Sequence, residues 1–352
     1  MLTRMRAIAA VLCSAALFGA STPLARALVG AMDPLWLAGL LYAGSGIGLT
    51  VLLALRHGGI AGADQRVASF ALADLPWLAA AIVAGGIVAP VLFVFGLRGI
   101  GGAAASLLLN LETALTVAIA WFVFREPHGA RVVVGMAFVV AACAVLGSEG
   151  VSDHSFGLGA MLIALACLFW ALDNNLTRQI AANDAMLIAA AKGLVGGTVN
   201  LSLAAMSAPP PPIAAALAAG VVGFFGYGVS LVLFVIVLRT LGAARASAYY
   251  AVAPFVGVAV AFFLLGERPG LVFWAALPLM AIGFGLHLTE RHTHWHAHDP
   301  LPHAHPHRHD EHHSHTHDFA WEGAGQHTHA HRHEPLAHSH PHTPDIHHRH
   351  EH

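Results

Sequence analysis

The chain has 352 residues, of which 57% are hydrophobic and only 10% are charged, and its formal net charge is −2. This composition excludes an ordinary soluble protein for residues 1–288, because a soluble core does not need so many nearly charge-free apolar segments. About 20 apolar residues in a helix cross a hydrocarbon layer of roughly 30 Å. We therefore interpret the chain as an all-α polytopic membrane protein. Cys13, Cys143 and Cys167 lie in apolar segments and are read as small core residues, not as a disulfide framework.

Ten apolar segments follow one another in the first 288 residues, and each predicts a membrane-spanning helix. Lys and Arg in short loops favour a cytoplasmic N-terminus, since that orientation places most arginines inside and only Arg26, Arg98 and Arg268 outside. Both termini are then cytoplasmic. The predicted spans are 7–28, 34–55, 76–97, 103–124, 129–148, 157–177, 185–206, 213–238, 244–265 and 270–288.

The segment Leu97–Glu126 returns at Leu238–Glu267 with an offset of 141 and no gap, and the closing glutamates match. The first and sixth spans match at an offset of 152, which aligns Phe18–Arg26 with Trp170–Arg178. Such self-similarity indicates a duplicated unit. Ten spans divide into two units of five. Because five is an odd number, each unit begins and ends on opposite sides of the membrane, so the second unit is inverted relative to the first. The predicted fold is therefore ten transmembrane helices in two inverted five-helix repeats, 1–148 and 149–288, followed by a tail at 289–352.

These motifs resemble the EamA type of the drug/metabolite transporter superfamily over residues 7–288. The resemblance rests on the small residues before each apolar helix, on the closing Glu126 and Glu267, and on the Phe18-to-Pro23 opening of the first span. The segment LNLET, which ends at Thr113, is similar to the fourth-span pattern of the family but has Thr113 where proline is common. The resemblance implies two inverted five-helix units that export a small organic solute, and it does not imply one substrate.

Glu112 lies near the middle of the predicted fourth span, where a charged side chain costs about 2.5–3.5 kcal/mol on insertion scales. One interpretation is that Glu112 binds a substrate amine or couples transport to protons. The other is that Glu112 is a structural carboxyl, bonded to a neighbouring helix. Both interpretations remain open from the sequence.

Lys192 and Asp173 lie at similar depths near the cytoplasmic ends of the seventh and sixth spans, so the sequence predicts an ion pair between them. The alternatives are that Lys192 meets Glu112 across a cavity or binds a substrate carboxylate. The remaining candidates for lining the substrate site are polar residues of the paired fourth and ninth spans. They are Asn110, Tyr249 and Tyr250.

Glu126 precedes Pro127, and Glu267 is followed two residues later by Pro269, so each stands at the start of the next predicted helix. A carboxylate there suits the positive end of the helix dipole, so both glutamates are predicted to be structural caps of the helices that follow them. The glycines of the eighth span, from Gly220 to Gly228, predict close helix packing. The sequence has no phosphate loop, nucleophile elbow or helical metalloprotease motif, so an ATP-driven pump or a membrane enzyme is not supported.

All histidines except His57, His128, His154 and His287 follow Glu290. The tail has too few apolar residues for a core and is predicted to be disordered. Residues two apart in an extended chain point the same way, so neighbouring imidazoles are expected to bind Zn, Ni, Co or Cu loosely, with Asp310 as one oxygen donor. A solubilising tail is the alternative. The predicted metal ligands are His292, His294, His296, His298, His303, His305, His307, His309, His312, His313, His315 and His317.

Together these features predict a secondary transporter of the inner (plasma) membrane that exports a small organic solute by alternating access and needs no cofactor. The alternatives are a divalent-metal efflux carrier and a membrane-anchored metal buffer or sensor. The metal carrier is disfavoured because the predicted spans contain no histidine before His287. The expected partners are the solute, the lipid bilayer and divalent metal ions. No nucleic-acid partner is expected, and a homodimer is left open.

Overall fold

The structure is a computed structural model of the whole chain. It describes residues 4–58, 70–124, 129–148, 154–180, 183–241, 246, 249–250 and 252–288, and in the tail 292–298, 302–307, 327–332 and 336–342. The chain forms two compact units, Met1–Glu290 and Arg291–His352. The first is the membrane unit and the second is the tail.

The described residues of the membrane unit are helical, and eight helices within them are long and apolar enough to cross a bilayer. They correspond to the first eight predicted spans, and two shorter apolar helices, Ala253–Leu264 and Leu271–Leu286, lie where the last two were predicted. The chain is therefore a multi-pass membrane protein. The α-helices are α1 (Arg4–Leu28), α2 (Pro34–Gly58), α3 (Leu75–Ala81), α4 (Ala89–Gly96), α5 (Gly102–Leu108), α6 (Asn110–Phe122), α7 (Ala130–Gly147), α8 (His154–Arg178), α9 (Ala185–Ser207), α10 (Ile213–Gly223), α11 (Ser230–Leu241), α12 (Ala253–Ala259) and α13 (Leu271–Leu288).

Three π-helical segments interrupt the spans in the described part of the membrane unit. Ile82–Val88 joins α3 to α4, Phe224–Val229 joins α10 to α11, and Val260–Leu264 follows α12. The repeat offset of 141 carries residues 82–88 onto 223–229, so the first two π segments occupy equivalent places in the two halves of the sequence. A π segment alters the ladder of backbone hydrogen bonds and often marks a functional position.

Side chains from other helices bind the carbonyl groups of the first π segment. The Tyr42 hydroxyl donates to the Gly85 carbonyl over 2.7 Å, and Trp170 Nε1 donates to the same oxygen over 3.2 Å. Asn200 Nδ2 donates to the Gly86 carbonyl over 3.3 Å. Because a bilayer offers no water to such groups, these bonds allow the irregular helix to persist inside the bundle.

Helices α2 and α9 make the most extensive helix pair of the membrane unit. Gly39 lies against Leu201, and Gly46 lies against Gly193, so residue numbers rise along α2 as they fall along α9 and the two helices are antiparallel. A Cβ atom on Gly193 would lie 2.7 Å from the Cα of Gly46. The backbones therefore touch, and only residues without a side chain fit at this crossing.

One glycine in each of the first two π segments makes an equivalent close contact in the two halves of the sequence. Gly226 lies against Ser21, so that a Cβ there would be 2.5 Å from the Ser21 Cβ, and Gly85 lies against the carboxylate of Asp173. Gly85 and Gly226 are related by the offset of 141, and Ser21 and Asp173 by the offset of 152. The predicted close packing of the glycine-rich eighth span is confirmed, and its counterpart in the first half packs in the same way.

The described residues of the tail form two antiparallel strand pairs, β1 (His292–His298) with β4 (Leu336–His342) and β2 (Pro302–His307) with β3 (His327–Arg332). The prediction of a disordered tail is wrong for these four segments. The composition argument considered only an apolar core, whereas a strand pair satisfies its backbone hydrogen bonds without one. The predicted ligands His309, His312, His313, His315 and His317 lie outside the described residues.

The α2–α9 contact gives a first prediction. Gly193→Val should lower the free energy of unfolding by about 1–3 kcal/mol, because the added side chain must push the α2 backbone away. The matched control is Gly220→Val, since a Cβ on Gly220 meets nothing within 4 Å. Thermal unfolding of the detergent-purified variants measures the difference, and equal midpoints for the two would contradict this contact.

Candidate substrate site

The fourth span is interrupted between α5 and α6, and this break places Glu112 in the first turn of α6. A carboxylate in that position is stabilised by the positive end of the helix dipole. Asn110 begins α6, is buried, and donates from Nδ2 to the Leu107 carbonyl over 3.0 Å. The amide of this predicted lining residue thus binds a carbonyl of its own span, just before the break.

The carboxylate of Glu112 is held by an amide from a neighbouring helix. Asn174 Nδ2 of α8 donates to Glu112 Oε1 over 2.8 Å and also reaches Thr116 Oγ1 at 3.3 Å. Asn175 Nδ2 donates to the Thr116 carbonyl over 3.2 Å, so two consecutive amides join α8 to α6. Glu112 is half-buried, and no Lys or Arg in the described part of the chain forms a salt bridge with it.

Lys192 of α9 forms an ion pair with Asp173 of α8, as the sequence predicted. Its Nζ lies 2.7 Å from Asp173 Oδ1 and 2.5 Å from Oδ2, and the Thr177 hydroxyl donates to Oδ1 over 2.9 Å. The Lys192 and Asp173 side chains are only 18% and 5% exposed. Since the two opposite charges neutralise each other, Lys192 leaves the charge of Glu112 uncompensated.

Aromatic rings form a continuous chain through the same part of the bundle. Trp170 Nε1 donates to the Tyr42 hydroxyl over 3.0 Å, and the Tyr42 ring lies 6.0 Å from that of Tyr227. Phe18 continues the chain, with centroid distances of 6.0 Å to Tyr227 and 5.8 Å to Tyr250. This aromatic chain connects α8, α2, the second π segment, α1 and the helix that carries Tyr250.

The aromatic chain and the carboxylate face the same side of α8. Trp170 and Asn174 are four residues apart on that helix, so they share a face. Of the two predicted lining tyrosines, Tyr250 belongs to the aromatic chain, and both Tyr249 and Tyr250 pack against a small apolar cluster that contains Val11 and Val237. Sequence reasoning missed Tyr42, Trp170 and Phe18. The signal for two of them was present, because the offset of 152 aligns Phe18 with Trp170.

Glu267 is a helix cap, but not of the helix that follows it. Its Oε1 accepts from the Gly102 amide over 2.7 Å and its Oε2 from the Ala103 amide over 2.9 Å, at the start of α5. The prediction that Glu267 caps the helix that follows it is therefore wrong, because Glu267 caps α5 instead. The sequence shows which helix is next along the chain, but not which helix folding brings close. Glu126 lies outside the described residues.

Within the described residues, no group of three His, Cys, Asp or Glu side chains is placed to hold a metal ion. Chemically, the site offers one uncompensated carboxylate, amide donors and a series of aromatic rings. Such a set suits recognition of an organic molecule that carries positive charge.

Comparison with known proteins identifies the family. The model of the EamA-like transporter family matches residues 5–148 and again residues 157–289. The chain belongs to the EamA-like transporter family. Because members of this family are transporters rather than enzymes, this EamA-like protein is a membrane transporter, and the resemblance seen in the sequence is confirmed.

A curated relative and a solved structure are also similar to this chain. A protein described as an uncharacterized transporter, from Methanothermobacter thermautotrophicus (strain Delta H), is 27% identical over 272 residues, which are 71% of this chain and 76% of the relative. A protein of known crystal structure has a similar fold, with a TM-score of 0.58, 18% sequence identity, and coverage of 81% of this chain and 98% of the other. At that identity the likeness concerns the fold alone.

The buried ion pair gives a second prediction. Lys192→Met should lower the free energy of unfolding by about 3–5 kcal/mol, because it leaves the Asp173 carboxylate buried without its partner. The double variant Lys192→Met/Asp173→Asn should recover much of that loss, because it removes both charges. Thermal unfolding in detergent tests the pair, and an unaltered Lys192→Met midpoint would contradict it.

Proposed function

We propose that this EamA-like transporter is a secondary carrier that exports a small organic solute bearing an amino group, and that Glu112 binds the ammonium. The observation that carries the proposal is the setting of Glu112, a half-buried carboxylate deep in a span. Among the described residues, the side chain that binds it is the neutral amide of Asn174. A charge in this position is costly unless a partner or water compensates it, so a cationic solute is the natural complement. A proton that takes the place of the solute would couple export to the proton gradient.

The aromatic chain supports the same kind of solute. Tyr42, Trp170 and Tyr227 present ring faces and hydroxyl or indole groups, and they belong to helices from both halves of the sequence. Rings attract ammonium groups through their negative faces, and they also pack against the apolar part of a solute. A solute held by Glu112 at one end and by rings along its body would be recognised by shape and by charge.

The proposed transport cycle is alternating access between two inverted five-helix repeats. Three observations support this layout: the family model matches the chain twice, the π segments recur at an offset of 141, and α2 runs antiparallel to α9. Repeats of opposite orientation are a recurrent design of secondary transporters, whose substrate site lies between the halves. The arginine distribution supports cytoplasmic termini, the plasma membrane stays a prediction, and a homodimer is left open.

Glu112→Gln should abolish solute export while the protein still inserts and purifies normally, because the amide keeps the shape of the side chain and removes its charge. The matched control is Thr113→Val on the next residue, since Thr113 lines a small gap with Gly135 and Met136 of α7. A screen of amino acids and amines in proteoliposomes would identify the solute and measure its export. Full export by Glu112→Gln would refute the proposed site.

We further propose that the tail binds divalent transition metals separately from transport. In the strand register, His292 pairs with His342, His294 with His340, and His303 with His331. Residues directly opposite each other in an antiparallel pair have Cβ atoms about 4.5–5.5 Å apart. Two imidazoles at such positions could supply two of the ligands of a Zn, Ni, Co or Cu ion. The register therefore supports histidine pairs across strands as well as along one strand.

Deletion of residues 291–352 should leave export of the organic solute unchanged and remove most zinc or nickel binding by the purified protein. Binding to the full chain should weaken as the pH falls below about 6.5, because protonated imidazole no longer binds a metal. Isothermal titration with each metal measures the binding, and flux measurements in proteoliposomes supply the control. Loss of metal flux on truncation would instead favour a metal carrier.

A further inference from the structure

The tail contains one motif twice, and this repeat is separate from the repeat of the membrane unit. Residues 292–307 recur at 327–342 with an offset of 35 and no gap. Every histidine of one copy meets a histidine of the other. Thr293 and Pro306 also recur, as does the Pro-Leu pair between the two histidine segments of each copy. Alternation of histidines alone would not place threonine, proline and leucine at equivalent positions, so the tail contains a duplicated unit.

The strand pairing combines the two copies in opposite directions. The strand β1 begins the first copy and pairs with β4, which ends the second copy, and we call this pair the first ribbon. The strand β2 ends the first copy and pairs with β3, which begins the second copy, and we call this pair the second ribbon. Each ribbon therefore joins the start of one copy to the end of the other, so the two ribbons are equivalent.

Each ribbon places its histidines on one face. Alternate residues of a strand lie on the same face, and the register brings histidines of one strand opposite histidines of the other. The other face of the first ribbon has pairs without histidine, such as Trp295 with Ser339, and that of the second ribbon has Ala304 with Ala330. The histidine pairs, which we call rungs, are His292–His342, His294–His340 and His296–His338 in the first ribbon, and His303–His331, His305–His329 and His307–His327 in the second.

Two neighbouring rungs supply the number of ligands that one zinc ion takes. Residues opposite each other have Cβ atoms about 4.5–5.5 Å apart, and residues two apart along a strand are separated by about 6.6 Å. Zinc binds four ligands tetrahedrally, with Zn–N distances of about 2.0–2.1 Å. The register determines which four histidines are neighbours, and rotation of their side chains is enough to bring the imidazoles onto the ion.

We propose that the duplicated motif forms two equivalent metal sites, one on the histidine face of each ribbon. This inference rests on the proposed metal binding by the tail, and it gives that binding a place and a stoichiometry. Each ribbon binds one zinc ion tightly, so the chain binds two. An isolated pair of strands is only marginally stable in water, so an ion that joins the two strands also stabilises their pairing.

A change of face tests the sites without a change of composition. The full chain, purified in detergent through a tag other than polyhistidine and stripped of metal, is titrated with zinc against a competing chromophoric chelator. Thr293→His/His294→Thr moves one histidine of the middle rung to the other face of the first ribbon. It should weaken the zinc ion of that ribbon about tenfold or more, since even a residue that only orients a metal ligand contributes that much. Zinc binding equal to that of the wild-type chain would overturn the proposal.

Three double variants, each lacking two histidines, test the register. His294→Asn/His340→Asn removes the middle rung of the first ribbon and leaves its outer rungs too far apart to share an ion, so one tightly bound zinc should remain. His294→Asn/His329→Asn removes one histidine from each ribbon, so both ions should weaken. His292→Asn/His342→Asn removes an end rung and leaves two neighbouring rungs, so both ions should stay tightly bound. Equal zinc binding by the three variants would show that only the number of histidines matters and would overturn the two sites.

Amide hydrogen exchange gives a second readout of the same sites. Zinc should slow exchange in all four strands of the wild-type chain, because the ions stabilise the strand pairs. In His294→Asn/His340→Asn, zinc should slow exchange in β2 and β3 alone. Exchange that zinc leaves unchanged in the wild-type strands would overturn the proposal.

These outcomes separate the two ribbon sites from the metal binding on which they rest. Tight zinc binding by the full chain that ignores face and register would refute the ribbon sites alone. A full chain that binds no zinc would refute both. The tail and the membrane unit are separate compact units, so all variants should keep the wild-type thermal unfolding midpoint of the membrane unit, and this midpoint verifies that each purified variant is folded.

Discussion

The constraint on which the rest of the structure depends is that every backbone N–H and C=O group inside a bilayer needs a partner from the protein itself. Regular helices meet this constraint along their length, but this chain interrupts its helices at the π segments and at the break between α5 and α6. These interruptions change the backbone hydrogen bonds, and at the first π segment and at the start of α5 side chains from elsewhere in the fold bind the available backbone groups. Tyr42 and Trp170 bind the Gly85 carbonyl, and Glu267 binds the amides at the start of α5.

The same constraint explains why polar residues cluster where the backbone is irregular. Asn200 donates to the first π segment, and Asn110 donates to the carbonyl of Leu107 at the α5–α6 break. Residues that appear in the sequence as candidates for a substrate site therefore divide into two groups. Asn110 supports the backbone, whereas the carboxylate of Glu112 binds no backbone amide in the described chain and accepts only from the side chain of Asn174.

Hydropathy and the repeat allowed the membrane-spanning helices to be predicted, because both are visible in the sequence without any knowledge of the fold. The pairing of Lys192 with Asp173 was predictable from depth alone, since two opposite charges in neighbouring spans have few other partners. The target of Glu267 was not predictable, because its partners lie 165 and 164 residues away in the chain. Trp170 and Tyr42 were missed because aromatic residues are common in apolar spans, and only the fold reveals that they share one carbonyl.

The two halves share a close contact of a π-segment glycine but differ in the polar side chains at equivalent positions. Gly85 meets Asp173 where its counterpart Gly226 meets Ser21, and the counterpart of Glu112 is Ala253. In each of these pairs only one position carries a carboxylate, Asp173 but not Ser21 and Glu112 but not Ala253. Aromatic rings are present in both halves of the sequence. A symmetric pair of carboxylates would bind an ammonium group equally well in two orientations. A single carboxylate would fix one orientation, so the proposed solute would keep its charged end on the side of α6 and α8.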